Sequence, residues 1–407
     1  MTAAPVACRG ARARVLAIGL VLLTGCVPVG PQPTAGEPPI RGGRIVHASA
    51  DVFTLQPVLS VQRPDAEVIS MIYDSLITAD PKSGGIQPNL GRWTVSKDGL
   101  TYTWTIEAKA SWSDGRPITG HDYLTQIKNY ARSKKTARKT NFRDIVGFSD
   151  YEAGKATSID GIRVDSADPK KFTVTFAKVF CPALVNAFGF ALTPSHVFGK
   201  YVVDADASRN LDDAPENLAP PVAGGPFTFK EWRKGDEIVL VRNDSYWRGA
   251  PLVDEYVFKI IAATSTAPVA ERLRTGEFTL ARISPEELQQ VEGQAQLRVV
   301  SYPELLYVYI GWNVRSQTAP ALADRRVRQA LAFGCDWDAL IKERLFGQAT
   351  RMVAHDPPTS WASSTANLEQ YAFDQARARL DHVAQVTKLR LEDAGHMLHH
   401  DQPARVA

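Results

Sequence analysis

Three histidines near the carboxyl end have a spacing that could hold a metal ion. His396, His399 and His400 lie within five positions, and imidazole nitrogens are common zinc ligands. Nothing around them is patterned to fold, so we favour a tail without a metal and expect neither a metal nor a cofactor. Cys181 and Cys335 each lie among apolar neighbours, which is typical of buried, inert thiols.

Motifs of catalysis are absent from the sequence. It contains no G-x-S-x-G, no H-E-x-x-H, no Walker phosphate loop and no G-x-G-x-x-G after a predicted strand. We therefore predict that the protein is not an enzyme. A secreted hydrolase on a different fold is the least favoured alternative. Enzymatic turnover that persists after removal of the carboxyl-terminal tail would support it.

The amino terminus has the order of an export signal. Arg9, Arg12 and Arg14 precede an apolar run from Val15 to Leu23 and then Thr24-Gly25-Cys26. The run is about half of the roughly 20 residues that span a bilayer as a helix. The ending resembles the lipobox of bacterial lipoproteins. That resemblance implies cleavage after a signal peptide of residues 1–25, acylation of Cys26 and an extracytoplasmic protein anchored in the membrane by lipid.

Charge and composition narrow the class of protein. The chain has 407 residues, of which 44% are hydrophobic and 22% charged, so it can fill two or three packed lobes. Disorder, collagen and coiled coil are excluded. Three of its 47 basic residues lie in the signal, and the rest balance the 44 acidic residues. A neutral body argues against a nucleic-acid partner.

Residues 26–42 are rich in Pro and Gly and predict a semi-extended tether. Beyond it, strands and helices are mixed without a repeat, which predicts an α/β fold with antiparallel additions. Period-2 and period-3.6 spacing predicts strands at 44–48, 100–106, 172–176, 227–232, 238–241, 256–261 and 306–312, and helices from about 65, 119, 285, 327 and 336.

Aromatic residues near predicted strand ends suit a cleft that binds a ligand through a large contact area and through backbone hydrogen bonds. The alternative is that most of them lie in the core. The residues concerned are Tyr73, Trp112, Trp247, Tyr309 and Trp312.

Several segments, in order along the chain, together resemble the family 5 extracellular solute-binding proteins of ABC importers. Each segment alone is weak evidence for the family, whereas the ordered set of segments behind a lipobox is fairly specific to it. The segments are Gly42-Gly43-Arg44-Ile45-Val46, Ile72-Tyr73-Asp74-Ser75-Leu76, Trp112-Ser113-Asp114-Gly115-Arg116-Pro117, Gly224-Gly225-Pro226-Phe227 with Trp232, Arg242-Asn243-Asp244-Ser245-Tyr246-Trp247, Trp312-Asn313, and Asp324-Arg325-Arg326-Val327-Arg328-Gln329-Ala330-Leu331.

The resemblance implies a fold like that of the type II periplasmic binding proteins. Two lobes, with an extra subdomain, would close over a peptide or similar small solute and deliver it to ABC permease and ATPase subunits. The protein would act as a monomer. The implied limits are 43–78 with 190–275 for the first lobe, 79–189 for its inserted subdomain and 276–380 for the second lobe.

The carboxyl end departs from the family pattern. Family members are usually longer, and residues 381–407 lose the pattern, so we expect an incomplete second lobe after a frameshift or premature stop. Two alternatives therefore stay open beside the importer component. One is a signalling or chaperone-like lipoprotein that presents a ligand, and the other is a non-functional truncated product.

Positions that commonly face the cleft in the family imply the candidate ligand-binding residues. The segment after the first strand contributes three of them, the first helix one, and the later aromatic segment three. They are Phe53, Thr54, Leu55, Tyr73, Tyr309, Trp312 and Asn313.

Overall fold

The computed structural model describes residues 40–80, 85–202, 210–262, 268–302, 307–352, 364, 371–374 and 378. Cys26, most of the tether and the histidines at 396, 399 and 400 lie outside these residues. Within them, the mixture of sheets and helices confirms the predicted α/β class.

The first sheet has the strand order β1-β10-β9-β8. β1 runs parallel to β10, and the other two pairings are antiparallel. Leu280 adds a parallel bridge to His47 on the free edge of β1. The strands are β1 (Arg44–Ser49), β8 (Phe227–Arg233), β9 (Glu237–Arg242) and β10 (Glu255–Ile260).

The second sheet is antiparallel throughout, in the order β4-β5-β7-β6. β5 shows the predicted alternation, since Trp104 and Ile106 are buried while Thr103 and Thr105 are exposed. A separate hairpin precedes this sheet. The strands are β2 (Ile77–Ala79) and β3 (Ile86–Pro88) in the hairpin, then β4 (Gly91–Val95), β5 (Thr101–Ile106), β6 (Ile162–Val164) and β7 (Lys171–Thr175).

Helix starts follow the sequence signals. Thr119 caps α2, and the Asp122 carboxylate accepts the Thr119 N–H in return. Ser284 and Asp336 cap α7 and α9. The helices are α1 (Arg63–Ile72), α2 (Gly120–Arg132), α3 (Phe148–Glu152), α4 (Ala183–Phe188), α5 (Ser195–Phe198), α6 (Val269–Arg274), α7 (Pro285–Val291), α8 (Arg325–Gly334) and α9 (Trp337–Arg344).

The chain leaves the first sheet after β1, builds the second sheet between residues 91 and 175, and returns at β8. One continuous core of buried side chains, from Val52 to Ile260, joins the two sheets. The inserted subdomain and the lobe limits stay predictions. No helix in the described part of the chain has the length and apolar character needed to cross a bilayer.

The predicted strand at 306–312 is wrong for its described residues, 307–312, which form no regular element. Val308 and Tyr309 are among the most exposed large hydrophobic residues of the described chain. A strand needs a neighbour to satisfy its backbone groups, and no described strand pairs with this run.

Candidate ligand-binding site

The loop between β1 and α1 carries three of the predicted ligand-binding residues, Phe53, Thr54 and Leu55. The Leu55 N–H donates to the Asn217 carbonyl at 2.7 Å, and the Thr54 hydroxyl donates to the same oxygen at 3.4 Å. Further along the loop, the Tyr130 hydroxyl donates to the Pro57 carbonyl at 3.3 Å. The loop is therefore fixed to the chain around residue 217 and to α2.

Asp65, in the first turn of α1, fixes the same loop. It is the third residue of α1, and its Oδ1 accepts the Phe53 N–H at 2.8 Å. Burial raises the pKa of this carboxyl group, and backbone N–H groups around it act in the opposite direction; they belong to Phe53, Thr54, Gln62 and Val61.

Only one of the three loop residues presents its side chain to solvent. Thr54 and Leu55 are buried, whereas Phe53 is 62% exposed. Phe53 is therefore placed where a ligand could contact it, and Thr54 and Leu55 could meet a ligand only through small exposed parts. The ligand-binding role of all three stays a prediction.

Tyr73 is buried at the end of α1 rather than open to a cleft. Its ring meets the Trp112 ring edge-on, with 6.2 Å between centroids. Its hydroxyl has no hydrogen-bond partner among the described residues, and burial raises the pKa of Tyr73. The surroundings are those of a core residue, and its contact with a ligand remains untested.

Several of the segments that carry the family resemblance meet around Tyr73 and Trp112. The N–H groups of Gly224 and Gly225 both donate to the Ile72 carbonyl, at 2.9 and 2.8 Å. A Cβ added at Gly224 would come within 2.7 Å of the Trp112 ring, so glycine is needed there.

A partly buried carboxylate completes this junction. Asp74 accepts from the Tyr246 hydroxyl at 3.0 Å and from the Trp247 indole N–H at 2.9 Å. The junction joins the first helix, the turn at Trp112 and the first sheet. Most of the recognisable sequence pattern is therefore structural.

The remaining candidates, Tyr309, Trp312 and Asn313, lie in the irregular segment. Tyr309 is 76% exposed and Trp312 is 36% exposed. The Asn313 side chain accepts the Arg315 N–H at 3.0 Å and so stabilises a turn. Within the described residues, no hydrogen bond or ring contact joins these three to Phe53 or Tyr73.

Sequence reasoning missed Asp65 and Asn217. A local signal for Asp65 existed, because an acidic residue after Pro64 at a helix start is a common capping pattern. Asn217 had no such signal, since it is 163 positions from Thr54. In the described part of the chain no cluster of three metal-ligating side chains occurs.

Comparison with known proteins places the chain in a class. The model of the bacterial extracellular solute-binding proteins, family 5, middle region, matches residues 86–384. This match covers well over half of the chain, so the protein belongs to this family of solute-binding proteins.

Two curated relatives carry peptide-binding names. The chain is 25% identical to the oligopeptide-binding protein AppA of Bacillus subtilis over 353 residues, which is 85% of this chain and 60% of AppA. It is 25% identical to the probable D,D-dipeptide-binding periplasmic protein DdpA of Escherichia coli over 344 residues, covering 83% of this chain and 61% of DdpA. The chain therefore spans about 60% of the length of these relatives.

Solved structures confirm the predicted fold, that of the type II periplasmic binding proteins. B. subtilis AppA in complex with a nonapeptide superimposes with a TM-score of 0.70 at 22% identity, covering 84% of this chain and 63% of AppA. NikZ from Campylobacter jejuni in complex with Ni(L-His) gives a TM-score of 0.65 at 21% identity, covering 82% and 61%.

Proposed function

We propose that this protein is the substrate-binding component of an ABC importer and captures a peptide or similar small solute between two closing lobes. The observation that carries the proposal is the family match over residues 86–384. The peptide-binding names of AppA and DdpA support the ligand class.

Phe53 forms part of one wall of the binding cleft in this proposal. Its loop is fixed at several points, so the ring is available without reorganisation. Tyr309, Trp312 and Asn313 belong to the opposite wall. The ligand contacts both walls only in the closed form, and this difference in affinity drives closure. Backbone hydrogen bonds hold the ligand, which permits a broad range of side chains.

The proposed partners follow from the sequence. Acylated Cys26 anchors the protein outside the cytoplasm, and the closed monomer docks on the permease, which an ATPase subunit powers. The protein performs no catalysis of its own. None of the relatives described above bears a signalling or chaperone name, so no observation favours that alternative, and none favours a non-functional product.

Native mass spectrometry of the protein extracted from its own membranes tests the function. We expect the mass of a chain acylated at Cys26 together with a distribution of bound peptides. Cys26→Ser should leave the protein unanchored but still loaded. Protein that repeatedly carries no small solute, and that binds neither synthetic oligo-alanine nor oligo-leucine peptides, would exclude a peptide-binding role.

A further inference from the structure

A single buried carboxylate accepts a backbone hydrogen bond from the residue that carries the exposed ring, Phe53. Asp65 is 1% exposed, although a carboxylate is rarely buried without a specific role for its charge. Its Oδ1 accepts the Phe53 N–H at 2.8 Å. The backbone N–H groups of Thr54, Gln62 and Val61 also act to lower the pKa of this carboxyl group. Asp65 is thus bonded directly to the residue whose ring projects from the loop.

The loop has a rigid backbone and one projecting ring. Val52 and Thr54, on either side of Phe53, are both buried. The Ser60 carbonyl accepts from the Arg138 guanidinium at 3.0 and 3.2 Å, which fixes the far end. Since its neighbours cannot move independently, Phe53 stays in solvent where a flexible loop would let it fold back onto apolar surface.

We propose that Asp65 is the positioning residue of the ligand-binding loop, and that it holds the Phe53 ring in place for an apolar side chain of the ligand. The ligand part of this inference rests on the proposed function, whereas the dependence of the loop on Asp65 does not. Fixing the loop beforehand removes the entropy cost of ordering it when the ligand binds.

Replacement of Asp65 by asparagine is a sharp test because the two side chains have the same shape. A carboxylate offers two acceptor oxygens, whereas an amide offers one oxygen and directs an NH₂ group at the remaining backbone N–H groups. Asp122→Asn is a matched control. Asp122 is likewise the third residue of its helix and 1% exposed, and it accepts from Thr119 and Ser195, far along the chain from the loop.

Amide hydrogen exchange of the full chain tests the loop without any ligand. We expect Asp65→Asn to accelerate exchange of residues 52–56 about tenfold or more, because the fixed backbone then opens locally. Asp122→Asn should leave these amides at the wild-type rate. Unchanged protection of residues 52–56 in Asp65→Asn would overturn the proposal.

A double-mutant cycle tests whether Asp65 acts through Phe53. The probes are synthetic oligo-leucine and oligo-alanine peptides. We expect Asp65→Asn to raise the Kd for oligo-leucine about tenfold in the wild-type background and less than about twofold in Phe53→Ala. The change for oligo-alanine should be smaller, and Asp122→Asn should change neither Kd.

Equal losses of affinity in the two backgrounds would overturn the positioning role, since Asp65 would then act on stability alone. Wild-type affinity in Asp65→Asn would overturn it as well. Failure of the wild-type protein to bind either peptide series would instead contradict the proposed function and the ligand part of this inference. The exchange rates would still decide whether Asp65 fixes the loop.

Discussion

The indole N–H of Trp247 donates a hydrogen bond to the Asp74 carboxylate at 2.9 Å across 173 positions of sequence. The Tyr246 hydroxyl donates to the same oxygen at 3.0 Å. Burial raises the pKa of Asp74, while its hydrogen bonds from Trp247, Tyr246 and Asn89 lower it. One carboxylate therefore joins the end of α1 to the turn that follows β9.

Asp74→Ala should lower the free energy of unfolding by about 1–3 kcal/mol, because it leaves a partly buried hydroxyl and a partly buried indole N–H without their acceptor. Urea denaturation measures the change. Asp98→Ala is the control, since Asp98 is exposed in the turn after β4 and its loss should cost much less stability than the loss of Asp74. Similar small effects in both variants would contradict the role given to Asp74.

A second stabilising contact lies in the other sheet region. The Lys170 ammonium donates to the carbonyl oxygens of Glu107 and Ala110, each at 2.9 Å, and of Ile118 at 3.3 Å. Burial lowers the pKa of Lys170. The side chain thus joins the hairpin of β6 and β7 to the segment between β5 and α2.

Lys170→Met should destabilise the protein by about 1–2 kcal/mol, because three carbonyl oxygens lose the ammonium as a donor while the length of the side chain is kept. The carbonyl groups of Glu107 and Ala110 each keep a backbone N–H donor. Thermal and urea unfolding both report the loss. Lys171→Met is the matched control, since Lys171 is about half exposed and forms a surface ion pair with Asp168. Its effect should stay below about 1 kcal/mol, and a larger loss at Lys171 than at Lys170 would refute the assignment.

Local features of the fold could be predicted from the sequence. Alternation located β5, and the helices predicted from about 119, 285 and 336 match the starts of α2, α7 and α9, because such patterns depend on residues a few positions apart. Contacts such as Thr54 with Asn217 could not be predicted, because no local spacing reports on them. The run at 307–312 had the composition of a strand, but a strand also requires a partner.

The candidate site was predictable only in part, for a related reason. The family pattern is strongest where backbone groups and aromatic rings form the junction around Asp74 and Trp112, since close packing restricts those residue types. Phe53, which is exposed, faces no such restriction. The pattern therefore identified the fold more clearly than it identified the side chains that meet a ligand.

Acid should destabilise the protein through His47. This side chain lies on β1, where its Nδ1 is 3.1 Å from the Tyr256 hydroxyl. Burial lowers the pKa of His47, with a smaller opposing effect from Glu67 and a further lowering by Arg63. The folded protein therefore favours the neutral ring. Its contribution to stability is complete above the ordinary histidine pKa near 6.5 and is lost as the pH falls below it.

The measurement is the free energy of unfolding of the wild type and of His47→Gln between about pH 7.5 and pH 5. We expect the wild type to lose stability relative to the variant as the pH falls. The difference between the two curves isolates His47, because Asp65 and Asp122 contribute equally in both proteins. Burial raises the pKa values of these two carboxyl groups, so their contribution to stability changes with pH in the opposite direction to that of His47. Parallel curves would show that His47 is not the group responsible.

Trp312→Ala should weaken ligand binding more than it lowers stability. More than a third of Trp312 is exposed, so its truncation should cost less unfolding free energy than truncation of a fully buried tryptophan. Loss of an aromatic contact in a binding site commonly costs 2 kcal/mol or more, which is on the order of thirtyfold in the Kd for oligo-leucine. Trp104→Ala gives the contrasting case, because Trp104 is fully buried and should cost about 3–5 kcal/mol of stability. Tyr302 is an exposed aromatic residue outside the candidate set, so Tyr302→Ala should change neither the Kd nor the unfolding free energy. Losses of equal size in binding and stability at Trp312 would place its side chain in the core instead of the cleft.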